Sequence, residues 1–517
     1  MDSPKTPSKI NLHKIFGTKP GEGMQPKEAI SYGLAGFGQN LICTLTSSFL
    51  VYYFTNGLLI PSMTVGLIML FVRLFDALND PIMGSIVDKT NTKYGKCRPY
   101  LLWMPIPIAV LTVAMFLPYT TFEDNASGYW MVAIITAIYV IWSIVYTIVD
   151  VPYWGLASSM TKDTHQRGTV LMVARLLCTI GAGVTSLLMP FFSNGWISDY
   201  MEKGAVIPEH ELDAASALQG NYWIVVLVIC LIALPFFFLG FKNTKERFFA
   251  KEDVRPLKEN LKLLSQNKPL LIIIISGLLG SARIVYMFAN MYLAQYNVGA
   301  VMGDDLFLGM TSLELAVIIT LLNVPGGLVA TLLVPWCTKK FGKRKTYIYT
   351  HIFGGLVMIA TALIGWDQKW KLVVNMVGLG LVAISHGFAN VTSYAMIADT
   401  VDYLELKTGK RAEGICFAVQ TFLNKIGMAV GAAVICFGLG WAGIDPKIAA
   451  TTTIDGNFGG LNLLYMLCVL VPGISIFLSV IPFFFYKFNE KEQAAAVAEI
   501  AKRRGIDMHG NKVAGAE

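Results

Sequence analysis

The chain has 517 residues, of which 55% are apolar and only 15% charged, with 30 Phe, a mean hydropathy of +0.57 and a formal charge of +7. A soluble protein carries about a quarter charged residues, and disordered chains are polar and charge-rich. Both classes are excluded, and what remains is an integral membrane protein.

Crossing a bilayer core takes about 20 residues of helix. Twelve runs qualify, at 30–55, 62–87, 99–118, 129–157, 169–192, 222–241, 270–295, 310–337, 346–366, 371–396, 415–442 and 460–487. They are continuous rather than alternating, which argues for helices and against a β-barrel. Residues 1–28 are polar, with Lys and Pro and no apolar core, so no cleavable signal peptide is expected. Of the 41 Lys and Arg, 33 lie in tails and loops on the side of the N-terminus. The loops of the other side hold only Lys203, Lys369, Lys371 and Lys447. The positive-inside rule therefore predicts cytoplasmic termini and a multi-pass protein of the cell (inner) membrane. The charge is thus explained by topology rather than by nucleic acid. The eight Cys include no C-x-x-C spacing, so neither a disulfide framework nor a zinc site is expected.

Lys93-Tyr94-Gly95-Lys96-Cys97-Arg98-Pro99-Tyr100, after span 2, is echoed 247 residues later by Lys340-Phe341-Gly342-Lys343-Arg344-Lys345-Thr346-Tyr347, after span 8. An offset near half the chain, in register with the span count, predicts a six-plus-six duplication. The expected fold is an all-α membrane protein of twelve transmembrane helices in two six-helix halves, the major-facilitator architecture. Its parts are an N-terminal tail (1–28), a first half (29–241), a cytoplasmic central loop (242–269), a second half (270–487) and a tail (488–517) read as a frayed helix. Substrate sites in such folds lie near the midplane between the halves. A monomer is expected.

Four basic residues fall inside spans: Arg73, Arg175, Arg283 and Lys425. A charge at mid-bilayer costs about 2.5–3.5 kcal/mol on the insertion scale. Span 2 carries Arg73, Asp76 and Asp80, with Asn79 between. Asp76 and Asp80 are i and i+4 on one face, so their repulsion must be relieved by Arg73, a bound cation or a proton. Span 4 adds Asp150, with Thr147 one turn earlier. This hard, oxygen-rich set suits a small cation or a proton rather than a thiophilic metal; the structural alternative is an ion-pair cluster that fixes helix packing. Trp142, Tyr146, Asp150 and Trp154 recur every four residues, and a stripe that includes an acid must face inward. Flat rings beside a carboxylate suit a sugar, with Arg175 and Lys425 donating to its oxygens or pairing with the acids when the site is empty. Weaker candidates are His386, an Arg283–Glu314 pair, and Asp399 and Asp402 meeting loop cations at a gate. Asn125-Ala126-Ser127 matches a glycosylation sequon that usually arises by chance.

Several motifs resemble the glycoside–pentoside–hexuronide:cation symporter family, the melibiose-permease type, over about Ser31 to Gly431. Ser31-Tyr32-Gly33 with Gly36-Phe37-Gly38 is similar to its first helix, and Arg73-Leu74-Phe75-Asp76-Ala77-Leu78-Asn79-Asp80-Pro81-Ile82-Met83-Gly84 to its second. Tyr146 to Trp154 resembles its fourth, and Asp399-Thr400-Val401-Asp402-Tyr403 with Gln420-Thr421 through Lys425 its helix 10–11 region. The resemblance implies a cation site of Asp76, Asn79, Asp80, Thr147 and Asp150, with Arg73 beside it. It also implies sugar contacts from Trp142, Tyr146, Asp150, Trp154 and Arg175, with Lys425 nearby. Asp150 would serve both ligands and so couple them. One departure stands out: Gln39-Asn40 occupies the place of a Lys-Asp pair on helix 1. This exchanges a carboxylate that accepts sugar hydroxyls for an amide, and turns the expectation away from galactosides toward another sugar.

The expected function is a secondary symporter importing a glycoside, pentoside or hexuronide with Na+, or alternatively H+, by alternating access. No enzymatic motif and no cofactor beyond the coupling ion are expected. The alternatives are a lipid or amphiphile transporter on the same fold and a non-transporting membrane sugar sensor.

Overall fold

The computed structural model describes residues 24–90, 92–161, 164–202, 211–247, 257–302, 326–327, 329–330, 332–410, 413–444 and 454–503. These are almost entirely helical, and the only β feature among them is an isolated bridge between Thr92 and Gly95. In chain order the helices are α1 (Pro26–Gly57), α2 (Ser62–Lys89), α3 (98–115), α4 (Ala126–Met160), α5 (Thr164–Glu202), α6 (Glu211–Asn243), α7 (268–302), α8 (332–341), α9 (Lys343–Ile364), α10 (Lys369–Thr408), α11 (Glu413–Trp441), α12 (Ile454–Val480) and α13 (Glu490–Arg503).

Nine helices among the described residues are long and apolar enough to cross a bilayer unaided: α1, α2, α4, α5, α6, α9, α10, α11 and α12. The third expected span is present but broken at Met104, before Pro105. The seventh is interrupted at Gly280, where a short 3₁₀ turn (Ser281–Ile284) follows Lys268–Leu279. Most of the eighth (310–337) lies outside the described residues. Pro152, Pro235 and Pro472 sit inside α4, α6 and α12, as membrane helices tolerate because packed neighbours satisfy the freed carbonyls.

α2 shows why the charges point inward. Phe71, Leu74, Phe75, Leu78, Ile82 and Ile86 form an exposed stripe at helical spacing, whereas Val72, Arg73, Asp76, Ala77 and Met83 are buried. Lipid takes the apolar stripe and the bundle takes the charges. α1 packs on α5 and α6, and α3 on α4 and α6; α9 packs on α10 and α12. The two groups meet most extensively where α2 lies along α11.

The two echoed loops have matching geometry. Gly95 (φ 111°) and Gly342 (φ 81°) each turn through the left-handed region that glycine favours, just before α3 and α9. Glu246, beyond α6, accepts from the backbone N–H groups of Lys96, Cys97 and Arg98 at 2.9, 2.9 and 2.8 Å. Arg98 Nη2 donates to the Phe241 carbonyl at 2.7 Å. At the second corner Glu490, which opens α13, accepts from Lys343 N at 2.5 Å, while Arg344 donates to the carbonyls of Phe483 and Phe484, just past α12, at 2.8 and 2.9 Å. Each corner thus puts a carboxylate at a helix start and a guanidinium on carbonyls at a helix end, both favourable against the helix dipole.

The tail differs from the frayed helix expected of it. α13 docks on α10, burying Ala496 and Ile500, with Arg503 donating to the Leu406 carbonyl. The Asn125 of the sequon is the N-cap of α4, its Oδ1 accepting from Gly128 N at 2.9 Å.

Candidate functional site

The charges of α2 gather with α4 and α11 into one buried cluster. Lys425 of α11 reaches across to α2, where its Nζ lies 2.5 Å from Asp80 Oδ1 and 3.1 Å from Asp76 Oδ2. It also donates to the Asp76 carbonyl at 3.3 Å. Thr147 Oγ1 of α4 donates to Asp76 Oδ1 at 2.9 Å and lies 3.4 Å from Asp80 Oδ1. Asp76 is 3% exposed and Lys425 8%, so this ion pair is held largely out of water. Two carboxylates share one ammonium.

A second set lies alongside. Gln39 Nε2 of α1 donates to Asp150 Oδ1 at 2.6 Å and to Tyr146 OH at 3.2 Å. Trp154 Nε1 donates to the same Asp150 oxygen at 3.0 Å. The Gln39 carbonyl oxygen is buried with no hydrogen-bond partner, an acceptor left open where a hydroxyl donor would satisfy it. Arg175 of α5 stacks its guanidinium 4.1 Å from the centre of the Trp154 ring and 4.8 Å from that of Tyr394 on α10. Its Nη2 also donates to Tyr394 OH at 3.1 Å. The chain of contacts from α1 through α4 and α5 thus ends on the second helix group.

Other expected site residues stand elsewhere. Trp142 is 1% exposed, stacked on Tyr146 with ring centres 5.0 Å apart, and donates Nε1 to Thr112 of α3 at 2.8 Å. Its polar edge is thereby spent on helix packing. Asn40 turns back on its own helix, donating to the Gly36 carbonyl. Arg73 lies over the Tyr139 ring at 5.9 Å, and the direct ion pairs of the two acids are made by Lys425. Asn79 is half-buried and makes no hydrogen bond to the cluster among the described residues. Asp399 accepts from Lys343 Nζ at 2.6 and 2.7 Å, and Asp402 from Gln493 at 3.4 Å. Glu314, the expected partner of Arg283, lies outside the described residues.

Tyr394 was not anticipated from sequence. The 247-residue offset places it opposite Thr147, so the repeat register itself was the signal. Also unanticipated is the seal on the face opposite the basic loops. There Thr55 Oγ1 and Tyr292 OH are hydrogen-bonded at 2.9 Å, Asn56 Nδ2 donates to Tyr296 OH at 3.1 Å, and Tyr52 meets Tyr292 edge-on at 5.7 Å. Both helices carry π-helical turns in this region, Leu45–Phe49 and Tyr53–Gly57 in α1 and Leu293–Val298 in α7, a feature frequent at functional sites.

A bundle of this architecture, with a buried acid cluster and an aromatic–guanidinium stack between two helix groups, defines a membrane transporter of the major-facilitator type. The chain belongs to the MFS/sugar transport protein family, whose model matches residues 31–490; it is a sugar transporter of glycoside–pentoside–hexuronide type, not an enzyme. It is 30% identical over 472 residues to an isoprimeverose transporter of Lactiplantibacillus pentosus, covering 90% of this chain and 89% of that one. It is 27% identical over 480 residues to a glucuronide carrier protein homolog of Escherichia coli K12, covering 93% and 96%. Among solved structures, the nucleoside transporter NupG superposes with a TM-score of 0.58 at 15% identity, covering 89% of this chain and 100% of that one. A D-xylose-proton symporter superposes at 0.52 and 13%, covering 89% and 96%. Family membership supports sugar transport over the sensor and lipid readings.

Proposed function

We propose that the chain imports a glycoside, pentoside or hexuronide in symport with Na+, by alternating access, as a monomer in the cell (inner) membrane with both termini and the basic loops in the cytoplasm. The observation that carries this reading is the Lys425 ammonium lying between Asp76 and Asp80 from the other helix group. It is the counter-charge of a site whose Asp76, Asp80 and Thr147 oxygens are the donors a small hard cation takes. A coupling ion entering there competes with Lys425, breaks the cross-group pair and frees an ammonium for a substrate oxygen. The sugar fills the space beside Asp150, Tyr146, Trp154 and Arg175, and supplies the hydroxyl that the Gln39 carbonyl lacks. Each ligand thereby favours the other.

Isoprimeverose and glucuronide in the names of relatives support taking pentosides and sugar acids first among candidates. The uncharged Gln39-Asn40 pair is compatible with an anionic substrate. A proton as coupling ion would use one of the same carboxylates. The test is uptake by purified protein in liposomes across glycosides, pentosides and sugar acids, each with a sodium gradient, a pH gradient or neither. Concentrative uptake of one sugar under the sodium gradient alone is the expected result. Accumulation under the pH gradient alone would replace sodium by the proton, and equal uptake under all three conditions would end the symport reading.

A further inference from the structure

Arg283, at the break in α7, belongs to no part of the site above. It is 8% exposed, its Nε has no partner, and its Nη1 makes only a long 3.5 Å bond to the Gly280 carbonyl. Among the described residues no carboxylate lies within ion-pair distance of it. A guanidinium keeps its charge in a protein, and an unpaired charge so deeply placed is costly, so Arg283 calls for a negative partner that the described residues do not supply.

The surroundings are arranged for a guest. Arg283 borders a void of about 10 Å³ lined by Ser276, Ser281, Tyr347, Ser393 and Gln420, room for about one water-sized particle. Among the described residues no carboxylate lines it. The Ser276 hydroxyl is spent on the Ser479 carbonyl at 2.6 Å, so Tyr347 must be the donor in its 3.2 Å contact with Ser276. Gln420 gives one N–H to Asn424 and keeps another; the Ser281 and Ser393 hydroxyls and Arg283 Nε–H add further donors. On its other side Arg283 borders a second void with His351 and His386. His351 Nδ1 lies 2.8 Å from the Tyr347 carbonyl and so carries the proton, leaving Nε2, like His386 Nδ1, without a partner. Gly280 admits the guanidinium, since a Cβ there would lie 2.9 Å from Nη1.

We infer that this void is a binding site for a small monoatomic anion of chloride type, held by Arg283 with Ser281, Ser393 and Gln420. The void is too small for a sugar, and its free groups are donors beside a fixed positive charge. It is also separate from the transport site, because α11 turns Gln420 and Leu423 to the void but Lys425 to α2. The anion pins the break in α7 to α10 and α11, and so stabilises the second helix group.

The test is thermal unfolding of the purified full chain at constant sodium, titrated with chloride against glutamate, which is too large to enter and is no sugar. A saturable rise of about 2 °C or more with chloride and none with glutamate is expected. Arg283→Met should abolish the rise, and Ser393→Ala should weaken apparent chloride affinity severalfold while keeping the fold if Arg283→Met does not. Bromide soaked into crystals of the unaltered protein should give an anomalous peak beside Arg283. Identical unfolding in chloride and glutamate, or an anion effect untouched by both substitutions, overturns the proposal. So does an anion effect that arises only in Glu314→Gln, since the counter-charge would then be that carboxylate.

Discussion

The two helix groups share their corners but not their interiors. At both corners a left-handed glycine precedes a helix whose first N–H groups bind a glutamate, and an arginine binds carbonyls at the end of a neighbouring helix. Inside, the first group concentrates carboxylates, Asp76, Asp80 and Asp150, around oxygen and aromatic partners. The second contributes single cations: Lys425, which crosses to the acids, and Arg283, which stays among hydroxyls and imidazoles. The difference teaches that the corners hold helices in place in either group, whereas charge was free to diverge. The helix groups are joined through opposite signs at Lys425, and under the proposed alternating access this is the pair that a coupling cation would break.

The sharpest way to break this comparison is to remove the acid that Lys425 touches most closely. Asp80→Asn should abolish concentrative uptake, so that sugar equilibrates across the liposome membrane whichever gradient is imposed, while sugar binding survives in weakened form. Gradient-driven accumulation at the unaltered level in that variant would remove the cluster from coupling. Lys425→Ala probes the same pair from the other side. Leaving two buried carboxylates without their ammonium costs about 3–5 kcal/mol, read as a lowered unfolding temperature that sodium partly restores.

Much of this was legible in sequence for physical reasons. Charges within apolar runs are costly, so Asp76, Asp80, Asp150 and Lys425 stood out, and the i, i+4 spacing on α2 required a neutralising partner. Spacing could not say which cation supplied it. Arg73 is nearer along the chain, yet Lys425, some 350 residues away, makes the pair because α11 lies along α2. The aromatic stripe of α4 was likewise visible, but not that Trp142 is drawn into the core by Thr112 while Trp154, three turns on, stacks against Arg175. The Tyr292–Tyr296 seal was hidden because tyrosines are common in such helices and only the contact across the groups marks it, whereas Tyr394 could have been found only through the repeat register.

The corners give the next largest expected effect. Glu246→Ala removes an acceptor from three backbone N–H groups of a half-buried corner, and hydrogen bonds to charged groups are worth about 1.5–3 kcal/mol each without being additive; a loss of about 3 kcal/mol is expected. Glu490→Ala removes one such bond at an exposed corner and should cost about 1 kcal/mol. Denaturation of both variants in one detergent measures the contrast. Equal losses would mean that the corners are equivalent in energy as well as in form.

Tyr394→Phe keeps the ring on which Arg175 stacks but deletes the hydroxyl that accepts its N–H, a change of about 0.5–1.5 kcal/mol. A few-fold change in uptake rate with unchanged ion dependence is expected, because the bond lies between the helix groups and not at the acids. A change in ion dependence would instead link the stack to the cation site.

The smallest expected effect on transport belongs to Trp142→Phe, and that is its value. The indole N–H serves Thr112, whose own hydroxyl is already donated to the Ile108 carbonyl at 2.7 Å. Losing the indole therefore costs one buried hydrogen bond, about 1 kcal/mol of stability, and leaves the face of the ring to stack on Tyr146. Apparent sugar affinity should stay within about twofold, because a side chain so enclosed reaches the substrate only through its neighbour. A tenfold loss of affinity at unchanged stability would show that the α4 stripe opens during the cycle and brings Trp142 to the sugar, extending the site by about one turn beyond Tyr146 toward the sealed face.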